Sequence, residues 1–290
     1  MSEPGAFRRI AVLGVGLIGG SFALAARREI PGVVIAGFDR AETLTTAKAR
    51  GAIDESCADV ATAVRSADLV YIALPVVAAM ESLAQIAAHA PKGVLVTDSC
   101  STKAAICRAA AETFRGAAGP LFLGGHPMAG KESQGIGQAD ANLLSGAQYA
   151  LVGREPSTDA RVCGFVVLLE KIGAQPVWCD ADTHDWAVGI VSHLPQLVSI
   201  ALARVVEDET DETGLPVSLA GSGLRDALRL AASPYSVWRD ICLTNTENVR
   251  RALDRMEQAL EYLRTHLASR ELEAEFRAAN DLYKSLQKGQ

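Results

Sequence analysis

The sequence predicts an α/β protein in which a doubly wound parallel sheet domain, residues 1–180, precedes an all-α domain, residues 181–290. Three observations carry that expectation. Through the first 180 residues, short runs apolar at nearly every position alternate with Ala-rich stretches, the pattern of strands covered on both faces by crossover helices. After about Asp180 the strand-like runs stop, and long Leu/Ala-rich segments with helical periodicity take over. A chain of 290 residues, 49% hydrophobic and 21% charged, suits two domains better than one and can bury a sizeable core.

The strands expected are residues 9–13, 33–38, 69–74, 93–97, 121–123, 149–152 and 176–178. Each is short and rich in β-branched residues. Between them, segments such as 19–28 and 41–50 have the length and composition of helices. In the second domain the expected helices are 184–206, 218–232, 236–267 and 270–287, punctuated by Pro195, Pro216 and Pro234. Helices this apolar cannot all hide their faces within about 110 residues, because small domains bury a smaller fraction of their surface. A partner subunit is expected to cover the remainder. The plainer alternative is that they cap the first domain.

Composition excludes several classes of function. With a net charge of −6 and mixed signs along the chain, no extended basic surface for nucleic acid is expected. The six cysteines, at positions 57, 100, 107, 163, 179 and 242, contain no CxxC pair, which argues against structural zinc and for reduced thiols. No uncharged apolar stretch is expected to reach the roughly 18 residues of a membrane span. Residues 1–10 lack the pattern of a signal peptide, so the expectation is a cytoplasmic protein without membrane contact.

Gly14-Val15-Gly16-Leu17-Ile18-Gly19 follows the first strand directly and opens a helix near Leu17. In that context the GxGxxG pattern is a dinucleotide site of Rossmann type. Gly14 permits a tight turn, Gly16 lets the backbone approach a pyrophosphate, and Gly19 lets helix and strand pack closely. The helix N-terminus faces the anion. Asp39 ends the second strand 20 residues after Gly19, where a carboxylate accepts bonds from ribose hydroxyls and repels a 2′-phosphate. That favours NAD. Arg40 complicates it, since its side chain can turn to pair with the 2′-phosphate of NADP, which stays open as a secondary cofactor. Leu74-Pro75-Val76 and Asp98–Lys103 end further strands at the carboxyl edge, where open α/β sheets bind ligands.

Candidate chemistry lies in three clusters. His126 sits between Gly124-Gly125 and Pro127 at a strand's end, placed to take a proton while hydride leaves the same carbon. His184-Asp185 and Ser192-His193-Leu194-Pro195-Gln196 open the helical domain. Nine residues of regular helix would point His184 and His193 apart, so no metal pair is expected. Arg225 and Arg229, four apart on one helix face, offer a fork for a substrate carboxylate, unless they pair with Asp226 and other acids.

These clusters, in this order from about Arg8 to Glu261, resemble the prephenate/arogenate dehydrogenase family of tyrosine biosynthesis. The likeness rests on the glycine fingerprint, Asp98–Lys103, the run from Gly124 to Glu132, Ser192–Pro195, and Arg225 through Trp238-Arg239-Asp240. It implies oxidative decarboxylation of a cyclohexadienyl acid with hydride transfer to the nicotinamide. By motif, His126 would act on the ring hydroxyl, and Ser101 would support it near the nicotinamide. Arg229 would bind a substrate carboxylate, with Asp226 orienting arginines at a subunit interface. Glu132, His193 and Trp238 would line or close the pocket, and the protein would be a homodimer through its helical domain. No metal is called for.

Two departures stand out. Gln196 replaces the histidine that ends Ser-His-Leu-Pro-His in many prephenate-using members, and its amide can serve either a keto acid or an ammonium. Cys100 stands where glycine is common. With the sequence ending at Gln290, no fused regulatory domain or mutase is expected, and any tyrosine feedback would act at the active site. A β-hydroxyacid dehydrogenase or imine reductase is the rival enzyme, disfavoured because the long helices from His184 to Leu267 contain no lysine. A non-catalytic NAD sensor would need the glycines but not His126, His193 and Arg229 together.

Overall fold

The computed structural model describes residues 7–116, 119–131, 133–153 and 158–288. One eight-stranded sheet runs in the order β3-β2-β1-β4-β5-β6-β7-β8. The strands are β1 (Arg9–Leu13), β2 (Val34–Phe38), β3 (Glu55–Cys57), β4 (Leu69–Ile72), β5 (Leu95–Asp98), β6 (Leu121–Pro127), β7 (Gln148–Val152) and β8 (Gln175–Cys179). Crossover helices α1 (Leu17–Glu29), α2 (Ala41–Ala49), α3 (Val60–Val64), α4 (Val76–His89) and α5 (Ala104–Thr113) join the parallel strands, and α6 (Ala160–Lys171) joins β7 to β8. Period-2 geometry sends Ile10 and Val12 into the core on one face, with Phe22 and Tyr71, and Ala11 and Leu13 into the core on the other. Phe22 stacks on Tyr71 with ring centroids 3.8 Å apart.

The sheet departs from the expectation in two places. β3, a three-residue edge strand of Glu-Ser-Cys, carries no apolar run and so is not among the expected strands; it pairs through Ala36 and Glu55. β7 runs antiparallel to β6, with His126 opposite Ala150. A parallel neighbour needs a crossover of a dozen or more residues, usually a helix. The connection from β6 to β7 carries only a 3₁₀ turn, Ile136–Gln138, among its described residues, so the chain turns back.

Downstream lie α7 (Ala181–Val188), a π turn (Gly189–His193), α8 (Leu194–Asp208), α9 (Leu215–Ser218), α10 (Ser222–Leu228), a 3₁₀ turn (Arg229–Ala232), α11 (Tyr235–Thr244), α12 (Thr246–Thr265) and α13 (Leu272–Lys288). Pro195 and Pro216 fall in the first turns of α8 and α9, and Pro234 caps α11. The helix expected over 236–267 breaks at Asn245.

Met1–Thr246 and Glu247–Gln290 form two compact units. In the second unit, Phe276, Leu282, Tyr283 and Leu286 of α13 are exposed. In the first, the helical path Ala181–Asp208 is long and apolar enough to cross a membrane by length and composition, which corrects the expectation that no stretch qualifies. Its polar residues His193, Gln196 and Ser199 are buried and hydrogen-bonded within the fold, the mark of a packed helix.

Candidate active site

The strand order reverses between β1 and β4, so the crevice of this sheet opens beyond their carboxyl ends. The glycine turn fills that place. Gly14 has φ +89°, and a Cβ there would lie 2.4 Å from the Ala73 carbonyl oxygen; a Cβ on Gly19 would lie 1.9 Å from the Gly14 oxygen. Gly16, by contrast, faces open space. It caps α1, whose first turn has neither a side-chain cap nor an acidic residue, leaving the N–H groups at Leu17, Ile18 and Gly19 for an external anion. The Asp39 carboxylate is aimed at this turn, accepting from Val15 N–H at 2.8 Å and from Arg40 N–H at 2.7 Å. The Arg40 side chain is exposed, 3.9 Å from Asp39. Leu74 and Pro75 end β4 and start α4 beside the turn, and Cys100 Sγ contacts the Leu74 carbonyl.

A cavity of about 450 Å³ is lined by Ser101, His126, Lys131, Ser192, Arg229 and Trp238, among others. His126 belongs to β6, so a strand and not a flexible loop holds it. Its Nδ1 lies 2.9 Å from Nε2 of His184, whose Nδ1 lies 2.8 Å from Asp185 Oδ1. Asp185 also accepts the backbone N–H groups of Lys103 and Ala104, at 2.6 and 2.9 Å. A carboxylate so placed only accepts, so neutral His184 carries its proton on Nδ1 and accepts at Nε2. His126 then donates from Nδ1, and its Nε2 keeps the free lone pair. Burial, followed by the nearby His184, Lys103 and His193, holds the His126 imidazolium well below the ordinary histidine range.

The expected residues separate into those on the cavity wall and those behind it. Ser101, His126, Arg229 and Trp238 share the wall. The group bonded to the His126 ring is His184, to which the sequence reading gave no role. His193 is buried behind the wall, with Asn245 Nδ2 3.1 Å from its Nδ1 and the Trp238 ring edge-on at 5.7 Å. Burial pulls its pKa down to about 4, Asp185 opposing and His184 assisting. The same Asn245 amide donates to the Asp185 carbonyl, so His184 and His193 converge on one polar cluster instead of pointing apart. The π turn between them breaks the regular-helix spacing.

Gln196 is likewise buried, its amide donating to the Leu230 carbonyl at 2.8 Å. Ser199 accepts from Ala231 N–H and donates to the Ala227 carbonyl. Together they pin the 3₁₀ turn that begins at Arg229. Arg225 and Asp226 are exposed on α10 and do not line the cavity. Glu132 lies outside the described residues. Lys131, on the wall, was not foreseen as a site residue. Trp238 rides on α11, which is anchored by Val77 N–H donating to Asp240 at 3.2 Å and by the Thr102 and Thr244 hydroxyls 2.8 Å apart.

A dinucleotide turn at the sheet's switch point, with a buried, uncharged histidine lining a cavity at the same edge, is the architecture of an oxidoreductase. Residues 22–177 match the nucleotide-binding domain of prephenate dehydrogenase, and residues 180–285 match its dimerization domain. The chain belongs to the prephenate dehydrogenase family. It is 34% identical to prephenate dehydrogenase of Lactococcus lactis over 268 residues, 92% of this chain and 73% of that protein. The crystal structure of prephenate dehydrogenase from A. aeolicus, in complex with hydroxyphenyl propionate and NAD+, superposes with a TM-score of 0.85 at 28% identity, covering 97% of each chain. Synechocystis arogenate dehydrogenase gives 0.79 at 30% identity over 97% of this chain and 99% of its own.

Proposed function

We propose that this chain catalyses NAD-dependent oxidative decarboxylation of prephenate to 4-hydroxyphenylpyruvate, or of arogenate to tyrosine, in tyrosine biosynthesis. The observation that carries the reading is the His126–His184–Asp185 chain, which leaves His126 Nε2 as an uncharged base on the cavity wall. His126 takes the proton of the ring hydroxyl, and His184 and Asp185 stabilise the imidazolium that forms. Nicotinamide, when bound, supplies the hydride acceptor for the ring carbinol carbon. As that carbon becomes a carbonyl, the bond to the ring carboxylate breaks. Its electron pair passes through the ring to the oxygen, His126 returns the proton, and carbon dioxide leaves an aromatic phenol. Aromatisation drives the step, so the protein's part is to position the substrate and move one proton.

Arg229 anchors a substrate carboxylate, Ser101 lies beside the reacting hydroxyl, and Trp238 closes the pocket over the ring. His193 and Gln196 act through the walls they support, Glu132 lines or closes the pocket, and Arg225 with Asp226 serves a subunit interface. For NAD, Gly14, Gly16, Leu17, Ile18 and Gly19 cradle the pyrophosphate, Asp39 holds the adenosine ribose, and Leu74 and Pro75 flank the nicotinamide. Arg40 admits NADP as a secondary cofactor. The functional division falls near residue 180, and the helical part joins two copies into a cytoplasmic homodimer.

Among the described residues the cavity wall carries two cations, Lys131 and Arg229, which suit the two carboxylates that prephenate and arogenate share. Reduced-cofactor formation by the pure protein with NAD, given each substrate in parallel, tests the reading. The expected result is turnover of at least one of the two. Silence with both, in a protein that still binds NAD, overturns the reading.

A further inference from the structure

Lys103 is wholly buried, and the proton-transfer chain described above does not use its side chain. Its ammonium contacts the buried Asp98 carboxylate and donates to the Gly125 carbonyl at 2.7 Å. Asp98 in turn accepts from Gly125 N–H at 3.0 Å and from Cys100 N–H at 2.9 Å. Both backbone polar groups of Gly125, the residue before His126, are thus held by one ion pair. At its other end, the Lys103 backbone N–H is, with that of Ala104, one of two donors that fix Asp185, which fixes His184, which fixes the His126 ring. The contacts close a ring: Lys103 grips His126 through the strand on one side and through the Asp185–His184 chain on the other. The second grip starts from a backbone N–H, which replacement of the side chain leaves in place, so a variant at Lys103 isolates the first.

We propose that Lys103 is a positioning residue for the active-site histidine, fixing both the place and the charge state of the His126 ring. The inference rests on the proposed role of His126 as the base. A lysine cation this close also discourages a second cation on the ring. The groups that face His126 are Lys103 at the start of α5, Asp98 on β5, His184 and Asp185 on α7, and His193 on the π turn, with Lys131 and Arg229 across the cavity. Asp98 is in contact with the Lys103 ammonium, so its charge partly offsets the cation's influence on the ring, and the grip on the Gly125 backbone carries most of the effect. Losing one hydrogen-bond brace lets the ring drift, and a displacement of about 1 Å costs up to roughly a hundredfold in rate.

The test replaces Lys103 by Met, which keeps the length and removes the charge, and adds Lys103→Met/Asp98→Asn so that no buried carboxylate is left unpaired. Two readouts are taken: kcat and both KM values, and the pH titration of the His126 ring by NMR. The second does not depend on the substrate assignment, so a wild type that titrates but does not turn over condemns the proposed function and not this inference. The expected result is a fall in kcat of about tenfold to a hundredfold in both variants with both KM values nearly unchanged. In Lys103→Met, His126 should titrate at a higher pH than in the wild type, because a cation that opposes a second charge on the ring is gone. A folded Lys103→Met protein with His126 titrating as in the wild type, or with kcat within about twofold, overturns the proposal. So does a double variant that cannot fold, because the pair would then serve the fold and not the histidine.

Discussion

His126 and Arg229 divide the work of the cavity between proton and anion. A histidine in water is about half charged near its ordinary pKa, but burial and neighbouring His184, Lys103 and His193 keep this one uncharged. Arg229, on the 3₁₀ turn across the same cavity, supplies charge where the substrate has it. Arg229→Ala should raise the substrate KM by about tenfold to a hundredfold and leave NAD affinity alone, as steady-state kinetics with each ligand varied would show. An unchanged substrate KM would move the anchor to Lys131. At this scale the sequence was legible where chemistry sits in a recognisable run: the glycines, Asp39, His126 and Trp238. It was less legible where regular geometry fails. His184 was set aside because nine residues of ideal helix separate it from His193, and the π turn at Gly189–His193 removes that premise. Lys131 and Lys103 lie inside recognisable motifs, but only their three-dimensional surroundings distinguish a cavity wall from a buried brace.

At the scale of elements, the site depends on how α8 holds the turn carrying Arg229. Gln196 looked like a ligand for the substrate side chain because its amide can both donate and accept. In the fold that amide points at the Leu230 carbonyl, and Ser199, three residues further along, supports Ala227 and Ala231. Gln196→Leu keeps the volume and removes the donor. The expected outcome is a several-fold rise in the substrate KM with kcat changed by less than about threefold, since only the anchor loosens. A variant that instead exchanges preference between prephenate and arogenate would show direct contact. The same scale explains the sheet. All strand runs chosen from the sequence are strands, yet apolar runs say nothing of direction. The loop-like connection between β6 and β7 decides that, and it brings Ala150 opposite His126. β3, with two exposed polar residues, lacked the apolar signal on which the reading relied.

Across the whole molecule, two buried histidines make stability depend on pH. His193 is held down to about 4 and His126 lower than its ordinary value, against 6.5 for a free side chain. Between pH 6.5 and about 4 the unfolded chain therefore binds protons that the folded chain refuses, so stability falls as pH falls through that window. Thermal unfolding should show a Tm that drops steadily from pH 6.5 to 4.5, and less steeply in His193→Gln; a flat profile in the wild type would contradict the burial of these rings. The apolar surfaces also belong to this scale. Trp186, Val191, Leu219 and Leu243 are exposed in the first unit, and Phe276 and Tyr283 in the second. A sequence can show that there is too much apolar surface to hide, and the match of 180–285 to a dimerization domain says what such surface serves in this family. His126→Asn removes the base itself. An amide cannot act as a base at neutral pH, though it can still donate a hydrogen bond toward His184. NAD affinity should stay like that of the wild type, and kcat should fall by about a hundredfold or more with the substrate that the wild type turns over. Turnover near the wild-type rate would contradict it, and the proton would have to leave by another residue.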